Sequence, residues 1–220
     1  MVVWGVEFHS RNPIIDFRGS SQEVAAKAHL HSQLTMLEIY WSQFRHAVSL
    51  IDLAEKLMPD TTRWTEVASI CTERMGWMHI ACRDAVLTVY HFGVTLDTIR
   101  RNAGRCCSLR GTYDAERIKD ALSCFRAAFP HYEKFRHAIG HLADDVSSVE
   151  KAAEYRSRSA ETSGLTIVGD LSGRLYTFGV RDTLMQLLVA TSTSQILEAI
   201  LLDVWESFRP DPMPRMITLS

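Results

Sequence analysis

The first half of the chain carries apolar residues at alternating steps of three and four, the spacing that places side chains on one face of an α-helix. Ser20 followed by Glu23 matches a capping box, which marks the start of the first helix. Pro59 sets its end near Met58. The pattern predicts a long amphipathic helix whose buried face carries Leu30, Leu34, Leu37, Trp41, Phe44, Val48 and Ile51.

The same spacing resumes at Trp64 and predicts a second long helix that runs to about Arg101. Gly76 and Gly93 are the positions at which this helix could bend or break. If it is continuous, it is about 60 Å long, and a helix of that length in a small protein favours packing against a partner as well as its own core. We therefore expect two long antiparallel helices and a homodimer.

Two shorter helices are predicted next. One follows Asp114, and Pro130 stands where another can start. Their apolar stripes are Ala115, Ile118, Leu122, Phe125 and Phe129 for the third helix, and Tyr132, Phe135, Ile139, Leu142 and Val146 for the fourth.

The pattern changes after residue 164. Short apolar segments alternate with the turn pairs Ser172-Gly173 and Arg181-Asp182, which is typical of a small antiparallel β meander. Residues 183–190 fit either its third strand or the opening of the last helix. We place that helix at 195–208, with N-caps supplied by the Thr/Ser run 191–194.

The predicted fold class is mainly α, a helical bundle with two long antiparallel helices, followed by a small C-terminal antiparallel β meander and a final helix. We expect three regions. Residues 1–19 form an N-terminal arm, 20–150 form the bundle, and 151–220 hold a linker, the meander and the last helix, which pack on the bundle.

Composition excludes several classes of protein. Hydrophobic residues are 46% of the chain and charged residues 23%, so intrinsic disorder is not expected. The five cysteines form no CxxC pair and no secretory signal precedes them, which predicts free thiols and a cytoplasmic protein. We expect no membrane span, because the longest apolar run, 85–96, is interrupted by Thr88, His91 and Thr95.

The formal net charge of -2 means that binding to nucleic acid requires a local patch. One stretch, from Thr98 to Tyr113, contains four basic residues and no acidic one. It is either an ordinary helix end with a solvated loop or a surface that faces phosphate. The predicted RNA-binding residues are Arg100, Arg101, Arg105 and Arg110.

The chemistry that we consider most closely lies in the fourth helix. The chain has no GxGxxG, GxxxxGK[ST], GxSxG or HExxH motif, which argues against the common nucleotide-cofactor and hydrolase classes. Arg136, however, precedes His141 by five positions, with His137 directly after it. A histidine can exchange a proton with a ribose 2'-hydroxyl or a leaving oxygen, and a guanidinium can stabilise charge on phosphorus, so the set suits metal-independent cleavage of a phosphodiester.

The spacing alone is weak evidence, because Arg74 with His79 and Arg126 with His131 also match it. The helical wheel adds an independent argument. At about 100° per residue, His137 and His141 lie nearly opposite the apolar stripe, so they are not core residues. Arg136 and His141 are about 140° apart, and they meet at one phosphate only through the reach of the arginine or with help from a second subunit.

The sequence resembles the HEPN superfamily (higher eukaryotes and prokaryotes nucleotide-binding domains). The resemblance rests on the motif Arg136-His137-x-x-x-His141, which lies late in a predicted helical bundle after two long helices. The resemblance implies a metal-independent endoribonuclease that acts as a toxin or antiviral defence effector and pairs two motifs across a dimer. It would make Arg136 and His141 catalytic and His137 supporting. The subgroup with nucleotidyltransferase antitoxins usually has Tyr two places after the histidine, where this chain has Ala143, so an antitoxin partner stays open.

Two alternatives remain. One is a non-catalytic dimeric module whose Arg/His face binds nucleotide, RNA or a partner protein. The other is a metalloenzyme, because His137 and His141 stand one helical turn apart with Asp144 and Asp145 a further turn on. No third metal ligand is fixed by spacing, so we predict neither a metal ion nor another cofactor.

Overall fold

The protein is mainly helical, with a three-stranded antiparallel sheet and a final helix, as the sequence predicts. The computed structural model describes residues 15, 19–58, 64–106, 109, 113–140, 170–180 and 183–209. Its elements are α1 (Ser21–Lys56), α2 (Trp64–Ala103), α3 (Ala115–Ala128), a 3-10 turn (Tyr132–Lys134), α4 (Phe135–Gly140), β1 (Asp170–Ser172), β2 (Leu175–Val180), β3 (Thr183–Leu188) and α5 (Thr191–Glu206).

The two long helices are confirmed. The amide of Glu23 donates to Ser20 Oγ at 3.3 Å, so Ser20 caps α1 as its sequence indicates. Helix α2 is continuous over 40 residues, and neither Gly76 nor Gly93 breaks it. Its predicted stripe is buried from Met78 onward, at Met78, Cys82, Ala85, Val89, Phe92, Leu96 and Ile99.

The chain forms two compact units, each built from several segments. Unit 1 holds Met1–Trp41, Phe92–Ala128 and Gln195–Ser220, and unit 2 holds Ser42–His91 and Phe129–Ser194. Both long helices contribute to both units. The predicted boundary at residue 150 lies outside the described residues.

Unit 1 contains a buried ion pair that joins α3 to α5. Arg117 donates from Nε and Nη2 to Asp203 Oδ1 at 3.0 and 2.6 Å, and both side chains are almost fully buried. Asp114 caps α3 by accepting from the Arg117 amide at 2.9 Å, while its own amide donates to the carbonyl of Ser207 at 2.8 Å. The start of α3 is therefore held to α5 by polar contacts on both sides of the arginine.

Unit 2 is built around the β meander. Ser172 pairs with Leu175, which leaves a two-residue loop with Gly173 at a φ of 60°, a conformation that favours glycine. Residues 183–188 form the third strand of the meander and not the opening of the last helix, the two structures that the sequence allows for this segment. The buried face carries Tyr176 and Phe178 of β2 and Met185 and Leu187 of β3.

Aromatic rings and one arginine attach this sheet to the helices of unit 2. Phe178 packs edge-on against Phe135 of α4, with 5.1 Å between ring centroids. Tyr176 packs in the same way against His79 of α2 at 6.2 Å. In the loop after β1, Arg174 pairs with Asp52 at 2.6 Å and with Glu55, both on α1.

Two predicted helix starts are wrong. The fourth helix begins at Phe135 rather than near Pro130, because His131 takes a left-handed φ of 63° and a 3-10 turn intervenes. The last helix begins at Thr191 rather than Gln195. Its Thr/Ser run forms the first helical turn, in which the Thr193 hydroxyl donates to the carbonyl of Leu188 at 2.6 Å.

We expect Arg117→Ala to lower the free energy of unfolding by about 3–5 kcal/mol, because it leaves the buried carboxylate of Asp203 without its partner. Urea denaturation followed by circular dichroism measures this. The control is Lys119→Ala on the same helix, which removes the exposed pair with Glu116 and should cost no more than about 1 kcal/mol. Equal effects of the two variants would contradict the structural role of the buried pair.

Candidate functional site

The packing of α4 determines which of its residues face solvent. Phe135 is buried against Phe178, and Ala138 and Ile139 are buried one turn further on. Arg136 and His137 lie on the other side and are exposed. The prediction from the helical wheel, that His137 is not a core residue, is confirmed.

The structure adds a histidine that the motif search does not find. His91 lies on α2 with an exposed side chain, and the ring of Tyr90 packs against it edge-on with 5.1 Å between centroids. Partial burial lowers the pKa of His91, and the positive charge of Arg136 lowers it further. The charge of Arg136 thus acts on His91, and the two groups come from different helices of unit 2.

A series of ring contacts places α4 and α2 on the same sheet. His79 of α2 contacts Tyr176, Tyr176 stacks on Phe178 at 5.6 Å, and Phe178 contacts Phe135 of α4. The two helices therefore pack on neighbouring residues of β2, Tyr176 and Phe178. The sequence shows His91 as an interruption in an apolar run but gives no sign of its neighbour.

Packing separates the three Arg-x-x-x-x-His matches. Arg74 stacks over the ring of Trp77 at 4.0 Å, and its spacing partner His79 contacts Tyr176. The second match places Arg126 near Asp97 and His131 in the left-handed turn before α4.

Arg136 differs from Arg126, which approaches Asp97, and from Arg74, which stacks on Trp77. No carboxylate among the described residues forms an ion pair with Arg136.

The predicted RNA-binding stretch is less positive than its sequence indicates. Asp97, one residue before the stretch, pairs with Arg100 at 3.1 Å and with Arg101 at 3.0 Å. Arg126 of α3 also approaches this carboxylate, at 4.0 Å. Asp97 therefore neutralises part of the positive charge of these three arginines, and Arg105 is exposed just beyond α2.

Several predicted residues cannot be placed. His141, Ala143, Asp144 and Asp145 of the fourth-helix motif lie outside the described residues, as does Arg110. The described residues contain no group of three or more His, Cys, Asp or Glu side chains that could hold a metal ion.

The cysteines within the described part of the chain are free thiols, as predicted. These are Cys71, Cys82, Cys106 and Cys124, and burial raises the pKa of Cys82 to about 12. A thiol with so high a pKa stays protonated at neutral pH and is a poor nucleophile.

Comparisons with known proteins give no relatives for this chain. It matches no protein-family model, no curated protein and no solved structure. Within the described ranges, no helix combines the length and apolar character needed to span a membrane. The candidate site therefore depends on its own geometry.

We expect Arg136→Gln to raise the pKa of His91, because it removes the nearby positive charge that disfavours the imidazolium form. An NMR titration of the histidine ring signals measures the shift without requiring any activity. Arg126→Gln, which changes an exposed arginine of unit 1, is the control and should leave the titration of His91 unchanged. An unchanged pKa in Arg136→Gln would show that the two groups are not neighbours.

Proposed function

We propose that the protein is a metal-independent endoribonuclease of HEPN type, acting as a toxin or antiviral defence effector in the cytoplasm. The observation that carries the proposal is the exposed Arg136, which forms no ion pair with a carboxylate in the described part of the chain and whose charge lowers the pKa of the exposed His91. His137, adjacent in sequence, is exposed as well. Guanidinium and imidazole groups on one surface are the components that cleavage of RNA without a metal requires.

The reaction follows from these side chains. Arg136 binds the scissile phosphate and stabilises the charge that develops on its oxygens. Histidine removes the proton from the ribose 2'-hydroxyl, whose oxygen attacks phosphorus. His141, which the motif makes catalytic, protonates the leaving 5'-oxygen, and His137 supports it. The products are a 2',3'-cyclic phosphate and a 5'-hydroxyl.

The proposal includes a homodimer. Arg136 and His141 project about 140° apart on a regular helix, so a site that uses both at one phosphate is completed most simply by a second copy. Electrostatics adds a second contact with RNA. In unit 1, Arg100, Arg101 and Arg105 present positive charge that Asp97 only partly neutralises, and we assign them, with Arg110, to binding of the RNA backbone.

Purified protein incubated with RNA in EDTA should produce fragments with 2',3'-cyclic phosphate ends. Arg136→Ala and His141→Ala should each lower the rate by at least about 100-fold, since each removes a group that acts in the transition state. His46→Ala is the matched control. It changes an exposed histidine that also follows an arginine, Arg45, but has Leu50 where the motif has histidine. Its cleavage rate should equal that of the wild type.

A mixture of the two inactive variants tests the dimer. If Arg136 of one copy acts with His141 of the other, mixed dimers regain one complete site and cleavage returns in part. No return of cleavage would place both residues in one subunit. Absence of cleavage by the wild type, or equal cleavage by the wild type and both variants, would contradict the enzyme and favour a module that binds nucleotide, RNA or a partner protein.

A further inference from the structure

We propose that strand β3, at the edge of the β meander, is a dimerisation surface on which a second copy of this chain pairs its own β3 in antiparallel fashion. The two three-stranded sheets then form one six-stranded sheet about a two-fold axis at Gln186. The proposed function requires a second copy but names no surface for it. The pairing goes beyond that function, because it concerns how two copies meet and holds whether or not the protein cleaves RNA.

Strand β3 lacks the protection that edge strands usually have. The strand order is β1-β2-β3, so β1 and β3 are the two edges of the sheet. Natural edges avoid pairing with other chains by being short or by carrying a charge or a proline. Strand β1 spans three residues and begins with Asp170, whereas β3 spans six and contains neither a charged residue nor a proline. The edge at β3 is therefore the one that can accept another strand.

The hydrogen bonds of the sheet determine which backbone groups of β3 point outward. The amide of Val189 donates to the carbonyl of Arg174 at 2.9 Å, so these two residues form a hydrogen-bonded pair. Hydrogen-bonded and non-hydrogen-bonded pairs alternate along an antiparallel ladder. The backbone groups of residues 185 and 187 therefore point to β2, and those of 184, 186 and 188 point away from the sheet.

The outward backbone groups can take a new partner. The amides of Leu184, Gln186 and Leu188 donate to no other residue in the described part of the chain. The carbonyl of Leu188 accepts from the Thr193 hydroxyl at 2.6 Å, and a carbonyl oxygen has a second lone pair with which to accept again. A paired strand would therefore satisfy donors that otherwise depend on water.

The side chains of the same three residues lie on the solvent face. Leu184 is 58% exposed and Leu188 is 43% exposed, and Gln186 between them is exposed as well. Met185 and Leu187, on the opposite face, are buried. The edge thus combines unpaired backbone groups with two leucines that lose contact with water when a strand is added.

A second copy fits this edge because the edge is complementary to itself. With the axis at Gln186, Leu184 lies opposite Leu188 of the partner subunit, and Gln186 lies opposite its own counterpart. Each outward amide then meets a carbonyl, each leucine meets a leucine, and no like charges face each other. An axis one pair to either side leaves one leucine without a partner, so this register alone matches all three residues.

Opposite charges at the axis test the pairing. Gln186→Lys and Gln186→Glu each place two like charges opposite one another, so each should weaken the dimer at least about tenfold. An equimolar mixture of the two variants should form a heterodimer, because lysine then faces glutamate. Sedimentation velocity measures the association, and native mass spectrometry identifies the heterodimer.

Two controls separate loss of pairing from loss of fold. Gln43→Lys makes the same change at an exposed glutamine of α1 and should leave the dimer intact. The Gln186 amide makes only a long contact with the Thr177 hydroxyl, at 3.4 Å, so both variants at Gln186 should keep the circular dichroism spectrum of the wild type.

A disulfide provides an independent measurement. Hydrogen-bonded antiparallel pairs have Cα atoms about 5.5 Å apart, a separation that a disulfide can span. Gln186→Cys should therefore form a covalent dimer under mild oxidation, and Gln43→Cys and the wild type, with its native cysteines, should not.

Three results would overturn the pairing. They are a wild type that is monomeric at the highest soluble concentration, a dimer that neither charged variant weakens, and a mixture of folded variants that stays monomeric. Cleavage of RNA decides the proposed function separately. An active monomer would overturn the pairing and keep the enzyme, whereas an inactive dimer that responds to the charges would keep the pairing and overturn the enzyme.

Discussion

The contact between Phe135 and Phe178 determines what the surface of unit 2 can do. It holds the described part of α4, Phe135–Gly140, against the sheet. Because Phe135 is buried, the next two residues, Arg136 and His137, must face solvent. The sheet in turn is fixed to α1 by Arg174 and to α2 by Tyr176, so the orientation of the arginine depends on the whole meander. The meander is thus a support for the candidate site.

Periodicity in the sequence predicted the parts of the fold whose signals are local. The steps of three and four in α1 and α2 reflect burial of one helix face, and the pair Ser172-Gly173 marks a tight turn that requires glycine. Helix starts were harder to predict. Pro130 permits a helix to begin, yet the left-handed conformation of His131 delays its start to Phe135. Residue propensities do not reveal that conformation.

Contacts between distant residues were not predictable in the same way. Arg117 lies outside the apolar stripe predicted for the third helix, but in the structure it is buried in an ion pair with Asp203 of α5. His91 is a polar interruption in an apolar run of the sequence, and the effect of Arg136 on its pKa links two residues that are 45 positions apart in the chain. Asp97 comes one residue before the arginine stretch. Because residues three and four apart lie on the same helix face, its carboxylate pairs with Arg100 and Arg101 and lowers the positive charge of that surface.

The most direct test of the account is binding of RNA at Arg136 and His137, measured without cleavage. A dinucleotide with a 2'-O-methyl group at the scissile position has no hydroxyl to attack with, and it can be titrated into the protein while the histidine ring signals are followed by NMR. The account predicts that the signals of His137 shift in a saturable way, that His46 does not shift, and that Arg136→Gln abolishes the response. Saturable binding that leaves His137 unshifted would contradict it.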